Sequence, residues 1–361
     1  MSIEEVQPNI YRIPSVLGRR RFAQWLVAGD ERLLLVDSGV DGTIAEHVAP
    51  ALAELGRSPA EITDVVISHA DVDHYGGNSE LRRAAPEARI RSSAQDRPWI
   101  ESWPEISRHR YGWYRGHRLD YDEATWEWLE SAAGPDTPID GTVSDGEQLD
   151  LGGIAVEVVA LPGHSPGHLG VLHRESGTAI VMDAVLERGL YTTDDELISP
   201  PPYASVPAYR TTIARLRELR PARLGTSHYS AIEGEQAVTA FLAASEGFVA
   251  DLDAAVDAEL GAEPQPLEHY WRAADAALGP FVEMAVELAR SVGAHLDNAV
   301  DEGRAVRAQD AGGLAVVFGS RVSSITLASV TTSSLSTSRT RMRAARSIDW
   351  EPDSRAAIGT K

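Results

Sequence analysis

The sequence predicts an α/β fold built from two sheets with helices on their outer sides. Two observations lead to this prediction. Short apolar runs typical of strands alternate with stretches of helical periodicity through residues 1–260. In addition, His and Asp side chains follow directly after several of these runs. Because strands that end at one edge bring such side chains together, the pattern indicates a metal site along one edge of the two sheets.

The first elements are predicted to be strands. Their patterns cover residues 9–14, 22–28 and 32–37, and Gly29-Asp30-Glu31 suits the turn between the last two. Apolar residues then recur at helical spacing over 44–55, where Pro50 predicts a kink. Later segments alternate in the same way.

A second clear helix pattern covers residues 206–219. It leads to a short apolar run, 222–224, that precedes His228. The sequence therefore predicts that this last histidine follows a strand, as the earlier ligand-type residues do.

One short segment carries most of the chemical signal. Residues 68–78 read Ser-His-Ala-Asp-Val-Asp-His-Tyr-Gly-Gly-Asn and follow the apolar run 65–67. Four side chains of metal-ligand type lie in it: His69, Asp71, Asp73 and His74. Side chains alternate between the two faces of a strand, so the chain must leave the strand near Ser68 and coil around an ion. A polar turn between a strand and a helix is the weaker interpretation.

Three further ligand-type residues follow strand patterns later in the chain. His164 lies in Leu-Pro-Gly-His-Ser-Pro-Gly-His after the run 154–160, Asp183 follows the run 179–182, and His228 follows Gly-Thr-Ser. Each lies at the carboxyl end of a short apolar run, where the ligands of one site would converge.

These motifs, in this order, resemble the metallo-β-lactamase superfamily. Its signature is His-x-His-x-Asp-His, then a His in a Gly-His-Ser/Thr-Pro-Gly-His context, then an Asp and a last His. The resemblance covers about residues 5–240 and implies an αββα four-layer sandwich. It also implies two metal ions and their ligands: His69, Asp71 and His164 for one ion, Asp73, His74 and His228 for the other, and Asp183 as the bridge. We also assign Asp73 as the catalytic residue.

Asp71 departs from the family pattern, which has a His in this position. The change replaces a neutral nitrogen donor with an anionic oxygen, which suits harder metals. Flavodiiron-type relatives carry a carboxylate there and bind iron, but no flavin-binding domain is evident in this chain. We favour zinc as the metal of this site, with iron and manganese as alternatives.

The ligand set predicts hydrolysis by a metal-bound hydroxide. Two divalent ions can share a water, lower its pKa and stabilise an oxyanion. The chain has no cysteine, which excludes a thiol nucleophile. We predict a small-molecule ester, thioester or lactone as the substrate. A phosphodiesterase or ribonuclease of the same fold and a non-catalytic metal-binding protein stay open as alternatives.

The composition of the chain indicates which binding partners it is expected to have. The net charge of −21 disfavours binding to nucleic acid. The chain shows neither a secretory leader nor an apolar run long enough for a membrane span, so we expect a cytoplasmic protein without a membrane partner. A homo-oligomer stays open.

An aromatic insertion is predicted over residues 94–138. It holds five of the eight tryptophans in the chain. Such rings bury a large apolar area, so we expect the segment to cover an apolar surface of the protein. Two interpretations stay open: a helical pair packed on the outer surface, or a lid over the metals in which Trp113 and Trp126 select the substrate.

The C-terminal part is predicted as a separate small module over residues 261–318. Helical patterns cover 267–277, 281–288 and 292–303, and a hairpin pattern follows them. Three helices and a hairpin resemble the degenerate winged-helix module of some metallo-β-lactamase relatives. Its nine acidic against four basic residues favour packing or oligomerisation over nucleic-acid binding. The Ser/Thr-rich and Arg-rich segment 319–361 is predicted to be a disordered tail.

Overall fold

Two sheets packed face to face form the centre of the fold. The computed structural model describes residues 2–309 and 316–320. The strands of the first sheet are β1 (Glu4–Gln7), β2 (Ile10–Leu17), β3 (Arg20–Ala28), β4 (Leu33–Val36), β5 (Asp64–Val66), β6 (Arg89–Ser92) and β7 (Gly141–Thr142). They lie in chain order across the sheet, antiparallel from β1 to β4 and parallel from β4 to β7.

The later strands form the second sheet and a separate two-stranded sheet. In chain order these are β8 (Gln148–Asp150), β9 (Ala155–Ala160), β10 (Leu169–His173), β11 (Thr178–Ile180), β12 (Leu190–Tyr191), β13 (Leu197–Ser199), β14 (Arg223–Gly225) and β15 (Ile232–Glu233). The sheet order is β15-β14-β11-β10-β9-β8, with β11 and β14 parallel, while β12 and β13 pair separately. Parallel neighbours end at the same edge, which is where the predicted ligands lie.

The first sheet is buried on both faces. Along β3, Trp25 and Val27 belong to the core between the sheets, whereas Leu26 and Ala28 belong to the core under the outer helices. This alternation is the period of two that a strand imposes on its side chains. The predicted two-sheet core with helices outside is therefore confirmed.

Helices cover the sheets and fill the aromatic insertion. They are α1 (Ala49–Glu54), α2 (Val72–Tyr75), α3 (Asn78–Ala84), α4 (Arg97–Ile100), α5 (Trp103–Ile106), α6 (Glu123–Ala133), α7 (Val206–Leu219), α8 (Glu235–Glu259), α9 (Leu267–Leu278) and α10 (Leu288–Asp301). Among the described helices, none is both long enough and apolar enough to cross a membrane.

The helix predicted over 44–55 is interrupted, as Pro50 led us to expect. A π-helical turn, Ile44–Val48, precedes α1, and the Ala49 N–H donates to the Ile44 carbonyl. Pro50 has no N–H to donate into the regular ladder, so the change of helix type coincides with it. Gly56 ends the segment with a positive φ of 70°.

The C-terminal segment differs from its prediction in one helix. Helices α9 and α10 are present, and β16 (Gln265–Pro266), β17 (Ala305–Gln309) and β18 (Val316–Ser320) form a sheet. The helix predicted over 281–288 is wrong, because only a short 3-10 turn, Ala285–Glu287, forms there. The N–H groups of Val282 and Glu283 donate instead to the Ile198 carbonyl.

The limits of this segment stay a prediction. Gly319 and Ser320, which the sequence predicts to begin the tail, belong to β18. The rest of the predicted tail lies outside the described residues.

Candidate metal centre

The first ligand motif lies where the chain leaves β5. Helix α2 begins at Val72, and Asp71 is its extended N-cap residue. This change of direction turns residues 69–74 around one point, as the sequence predicted. The His69 and His74 rings lie 3.9 Å apart between centroids, and both residues are fully buried.

A second group of ligand-type residues gathers around Asp73. Its Oδ2 lies 3.7 Å from His74 Nε2 and 3.6 Å from His228 Nε2. Ligand atoms of these three residues all lie within 4.8 Å of one another. The structure thus brings together the three residues predicted for the second ion.

Asp183 lies between the two halves of the centre. Its Oδ2 is 3.5 Å from His74 Nε2 and 3.3 Å from His228 Nε2. Ligand atoms of Asp183 also lie within 4.8 Å of those of His69 and His164. Asp183 thus belongs to the group of His69 and His164 and also contacts two histidines of the other group. Its role as the bridge between two ions stays a prediction.

Hydrogen bonds behind the histidines fix their orientation. Asp37 Oδ2 lies 2.6 Å from His74 Nδ1, and the His164 Nδ1 lies 2.7 Å from the Pro202 carbonyl oxygen. His228 Nδ1 lies 3.0 Å from the Arg21 carbonyl oxygen. An Nδ1–H that donates to each of these oxygens would direct Nε2 to the centre, where its lone pair would bind a metal.

Asp37 orients the first motif without being a predicted ligand. Its two oxygens accept from the Ser68 N–H at 2.6 Å and the Ser68 hydroxyl at 2.7 Å, in addition to His74. It has a left-handed φ of 65°. Such a conformation is costly for a non-glycine residue and is typically retained at functional sites.

The donor set fits divalent metal ions. The Nε2 atoms of His69 and His74 are buried and have no hydrogen-bond partner among the described residues. Burial opposes the ionisation of Asp183, but His228 and His74 outweigh it and hold the pKa of this carboxyl well below its ordinary value. Unpartnered imidazole nitrogens beside ionised carboxylates are the mixed nitrogen and oxygen donors that zinc and related metals bind.

Asp71 reaches the centre but also has a strong competing partner. Its Oδ2 is 3.1 Å from His164 Nε2 and 3.8 Å from His69 Nε2. Arg110 donates to both of its oxygens, from Nε at 3.0 Å and from Nη2 at 3.1 Å. Burial would raise the pKa of Asp71, but Arg110 and His164 hold it well below its ordinary value.

Sequence reasoning missed two residues of this ion-pair cluster. Arg110 also contacts Glu287, whose Oε2 lies 3.1 Å from Nη1. Glu287 in turn accepts from the hydroxyls of Tyr114 and Tyr121. The aromatic insertion and the C-terminal segment thus meet beside Asp71. Only the unusual carboxylate at position 71 could have indicated a nearby cation.

The centre opens into a cleft with an empty volume of about 510 Å³. Its walls include the apolar side chains of Trp128, Leu129, Leu186, Leu190 and Met284. The aromatic insertion therefore contributes to the cleft through α6. A ligand in the cleft would contact apolar surface beside the metal-binding residues.

The two tryptophans expected to face the metals lie elsewhere, so that assignment is wrong. Trp126 packs against Trp103 and under the guanidinium of Arg115. Trp113 packs against Gly293 of α10 and lies under Arg290. Helical spacing explains the result, because residues 126 and 128 of α6 point to different sides of the helix.

Substitutions at Asp71 test whether this carboxylate ligates a metal ion or only pairs with Arg110. If Asp71 ligates the first ion, Asp71→Ala should retain one ion per chain, and Asp71→His should retain two with a shifted preference towards softer metals. Elemental analysis of protein purified with zinc, and then with iron, measures both effects. Unchanged metal content in Asp71→Ala would show that this carboxylate serves Arg110 alone.

Comparison with known proteins agrees with the geometry. Residues 23–228 match the family model described as the metallo-beta-lactamase superfamily. A hydroxyacylglutathione hydrolase, GloC, of Haemophilus influenzae is 27% identical over 47% of this chain and 69% of its own length. A hydroxyacylglutathione hydrolase of Synechococcus is 28% identical over 42% of this chain, and the match spans only 44% of that protein.

Solved structures agree with the fold over most of the chain. A metallo-beta-lactamase family protein of Thermus thermophilus superposes with a TM-score of 0.66 at 21% identity, covering 88% of this chain and all of the other. A beta-lactamase domain protein of Burkholderia ambifaria gives 0.65 at 17% identity, covering 88% and 95%. The family match spans more than half of the chain and includes every predicted metal ligand. The chain is a hydrolase of the metallo-beta-lactamase superfamily.

Proposed function

We propose that this hydrolase cleaves the thioester or ester bond of a small molecule with two divalent metal ions, and that zinc is its metal. The observation that supports the proposal is the position of Asp183, which lines a small cleft, belongs to the group formed with His69 and His164, and contacts His74 and His228 of the second group. The curated relatives named hydroxyacylglutathione hydrolase support a thioester.

The metal ions would supply a water nucleophile of lowered pKa and polarise the scissile carbonyl group. His69, His164 and Asp183 would hold one ion with Asp71 beside them, and Asp73, His74 and His228 would hold the other with Asp183 shared. We assign Asp73 the catalytic role because its carboxylate lines the cleft beside His228.

Other residues orient the predicted ligands, and apolar side chains exclude water from the cleft. Asp37 holds His74, and the Pro202 carbonyl holds His164, so neither ring can turn its Nε2 away. Trp128 and Leu129 cover one wall of the cleft with apolar surface. A wall of this kind excludes water around the acyl group of a substrate.

The charge of the chain favours a small molecule over RNA. The net charge of −21 repels a phosphate backbone, and neutralising backbone charge is what holds a protein on nucleic acid. The same fold and ligand set can hydrolyse phosphodiesters, so RNA belongs in the test.

A substrate panel tests the proposal. Zinc-loaded protein would be assayed on a hydroxyacylglutathione thioester, an acetyl thioester, a 4-nitrophenyl ester, a γ-lactone, bis(4-nitrophenyl) phosphate and RNA. We expect turnover of a thioester or ester that is lost in His69→Ala. Metal-dependent turnover of RNA or the phosphate diester alone, or of nothing in the panel, would contradict the proposal.

Trp128 should select for apolar acyl groups. Trp128→Ala removes a cleft wall, so we expect kcat/KM to fall roughly tenfold for a bulky acyl thioester and little for the acetyl thioester. Trp126→Ala is the matched control, because it removes the same side chain from α6 outside the cleft. Metal content should stay unchanged in both. Equal losses for both substrates would assign Trp128 to packing only.

A further inference from the structure

Three consecutive arginines, Arg19 in the turn before β3 and Arg20 and Arg21 at the start of β3, differ in their partners. Arg19 forms an ion pair with Glu196 at 2.6 Å, and Arg21 forms one with Asp195 at 2.7 Å. Arg20, between them, has no hydrogen bond or ion pair from its side chain to any of the described residues, and its buried Nε is unpartnered. Arg20 is half-buried, and a buried polar atom without a partner calls for an explanation, of which a bound ligand is one.

Arg20 lies where two cavities meet. It lines the metal cleft together with Asp183 and His228. It also lines a neighbouring groove formed by the start of α6 and residues 282–284. A ligand whose reactive group is at the metal centre can therefore extend past Arg20.

The two acidic residues that line this groove already have other partners. In the groove, Asp122 accepts from the Thr125 N–H at 2.7 Å as the cap of α6, and Glu283 contacts Arg19 at 3.4 Å. Neither is paired with Arg20 in the structure. The guanidinium is thus left available on the side that faces the cavities.

The charges of the cleft also leave Arg20 uncompensated. The other arginine of the cleft, Arg110, is bound to Asp71 and Glu287. The remaining acids of the cleft, Asp73 and Asp183, belong to the predicted metal ligands. With the metals bound, Arg20 is the cation of the described cleft that lacks an anionic partner.

We propose that Arg20 binds a carboxylate group of the substrate, at a distance from the bond that is cleaved. A guanidinium presents a planar fork of donors that matches a carboxylate in two parallel hydrogen bonds. A single cation in a chain of net charge −21 suits one negative charge better than a multiply charged phosphate. The substrate class is then a small thioester or ester that carries a carboxylate. That class rests on the proposed function, whereas carboxylate binding at Arg20 does not.

A binding experiment tests the site without any turnover. Calorimetry on zinc-loaded protein would compare succinate, glutarate and adipate with their monoamides, which keep one carboxylate for the metals and lose the second. We expect at least one dicarboxylate to bind roughly tenfold more tightly than its monoamide. Arg20→Ala should abolish this difference, Arg20→Lys should restore part of it, and the control Arg19→Ala should keep it.

A kinetic experiment then tests the link to catalysis. The acetyl thioesters of 3-mercaptopropionic acid and of its amide differ only in the distal carboxylate. Arg20→Ala should raise KM for the acid towards that for the amide, with kcat little changed. If neither is hydrolysed while the calorimetric difference holds, the proposed function fails and the carboxylate site stands.

Two outcomes would overturn the proposal. One is a calorimetric difference that is absent in the wild-type protein or unchanged in Arg20→Ala. The other is inorganic phosphate binding that depends on Arg20 and exceeds that of every dicarboxylate, which would assign the site to phosphate.

Discussion

Replacing Asp183 with alanine is expected to lower the metal content from two ions per chain to at most one and to reduce hydrolysis roughly a thousand-fold. We expect this effect because of where the Asp183 carboxylate lies. The carboxylate lies within 3.5 Å of the Nε2 atoms of both His74 and His228 and also belongs to the group formed with His69 and His164. Removing it takes one donor from each ion and leaves the buried histidines without the anion that balances the metal charge.

The measurement is metal content by elemental analysis, combined with titration of the metal-free protein with Co²⁺, whose absorption reports coordination. Asp183→Asn is the matched control, because the amide keeps the size and the contact with Ser227 Oγ, 2.7 Å away, but loses the charge. We expect it to bind more metal than Asp183→Ala and less than wild type. Two tightly held ions in Asp183→Ala, with an unchanged Co²⁺ spectrum, would exclude a bridging role.

The sheets and the ligand motifs could be predicted because both are encoded locally. A short apolar run followed by a ligand-type residue marks a strand end, and β5, β9, β11 and β14 each precede such a residue. β11 and β14 are parallel neighbours, and β9 runs in the same direction because β9 and β11 both pair antiparallel with β10. This arrangement brings the ends of the three strands to one edge of the sheet, as the resemblance to a known fold implied.

The ion-pair cluster could not be predicted because its contacts are distant in sequence. Arg110 lies 39 residues from Asp71 and 177 residues from Glu287. No periodic pattern relates such positions, and a charged residue in a helical segment is ordinarily solvated. Likewise, the sequence shows three equivalent arginines at 19–21, and only tertiary contacts distinguish the unpaired one.

The wrong helix at 281–288 has a related cause. Its apolar residues suit a helix, but Phe281 has its N–H bonded to the Asp275 side chain, and the next two N–H groups bind Ile198. Tertiary hydrogen bonds override the local pattern there. The altered path brings Met284 and Glu287 to the metal cleft, so a local misassignment concealed part of the site.

Replacing Arg110 with alanine is expected to destabilise the metal-free protein by roughly 3–5 kcal/mol, the usual cost of removing one partner of a buried ion pair. Asp71 and Glu287 both lose their cation, and Glu287 and Arg110 are only 5% and 6% exposed. Chemical denaturation with a chelator present measures the free energy of unfolding. The double variant Arg110→Met with Glu287→Gln should recover part of the loss, because it removes the charge as well as its partner.

The pH dependence of the stability lost in Arg110→Ala shows whether the loss comes from charge or from packing. In the wild type the pKa of Asp71 is held low, so its contribution to stability is present above the pKa of the unfolded chain, near ~4. It is lost as the pH falls through the lower folded value. Without Arg110, burial favours the protonated form, so the penalty acts at neutral pH and disappears on acidification. The difference in unfolding free energy between the two proteins should therefore shrink from pH 7 towards pH 4. A difference that stays constant over this range would mean that Arg110 stabilises the fold through packing, because only a charge effect is relieved by protonating the carboxylate that it faces.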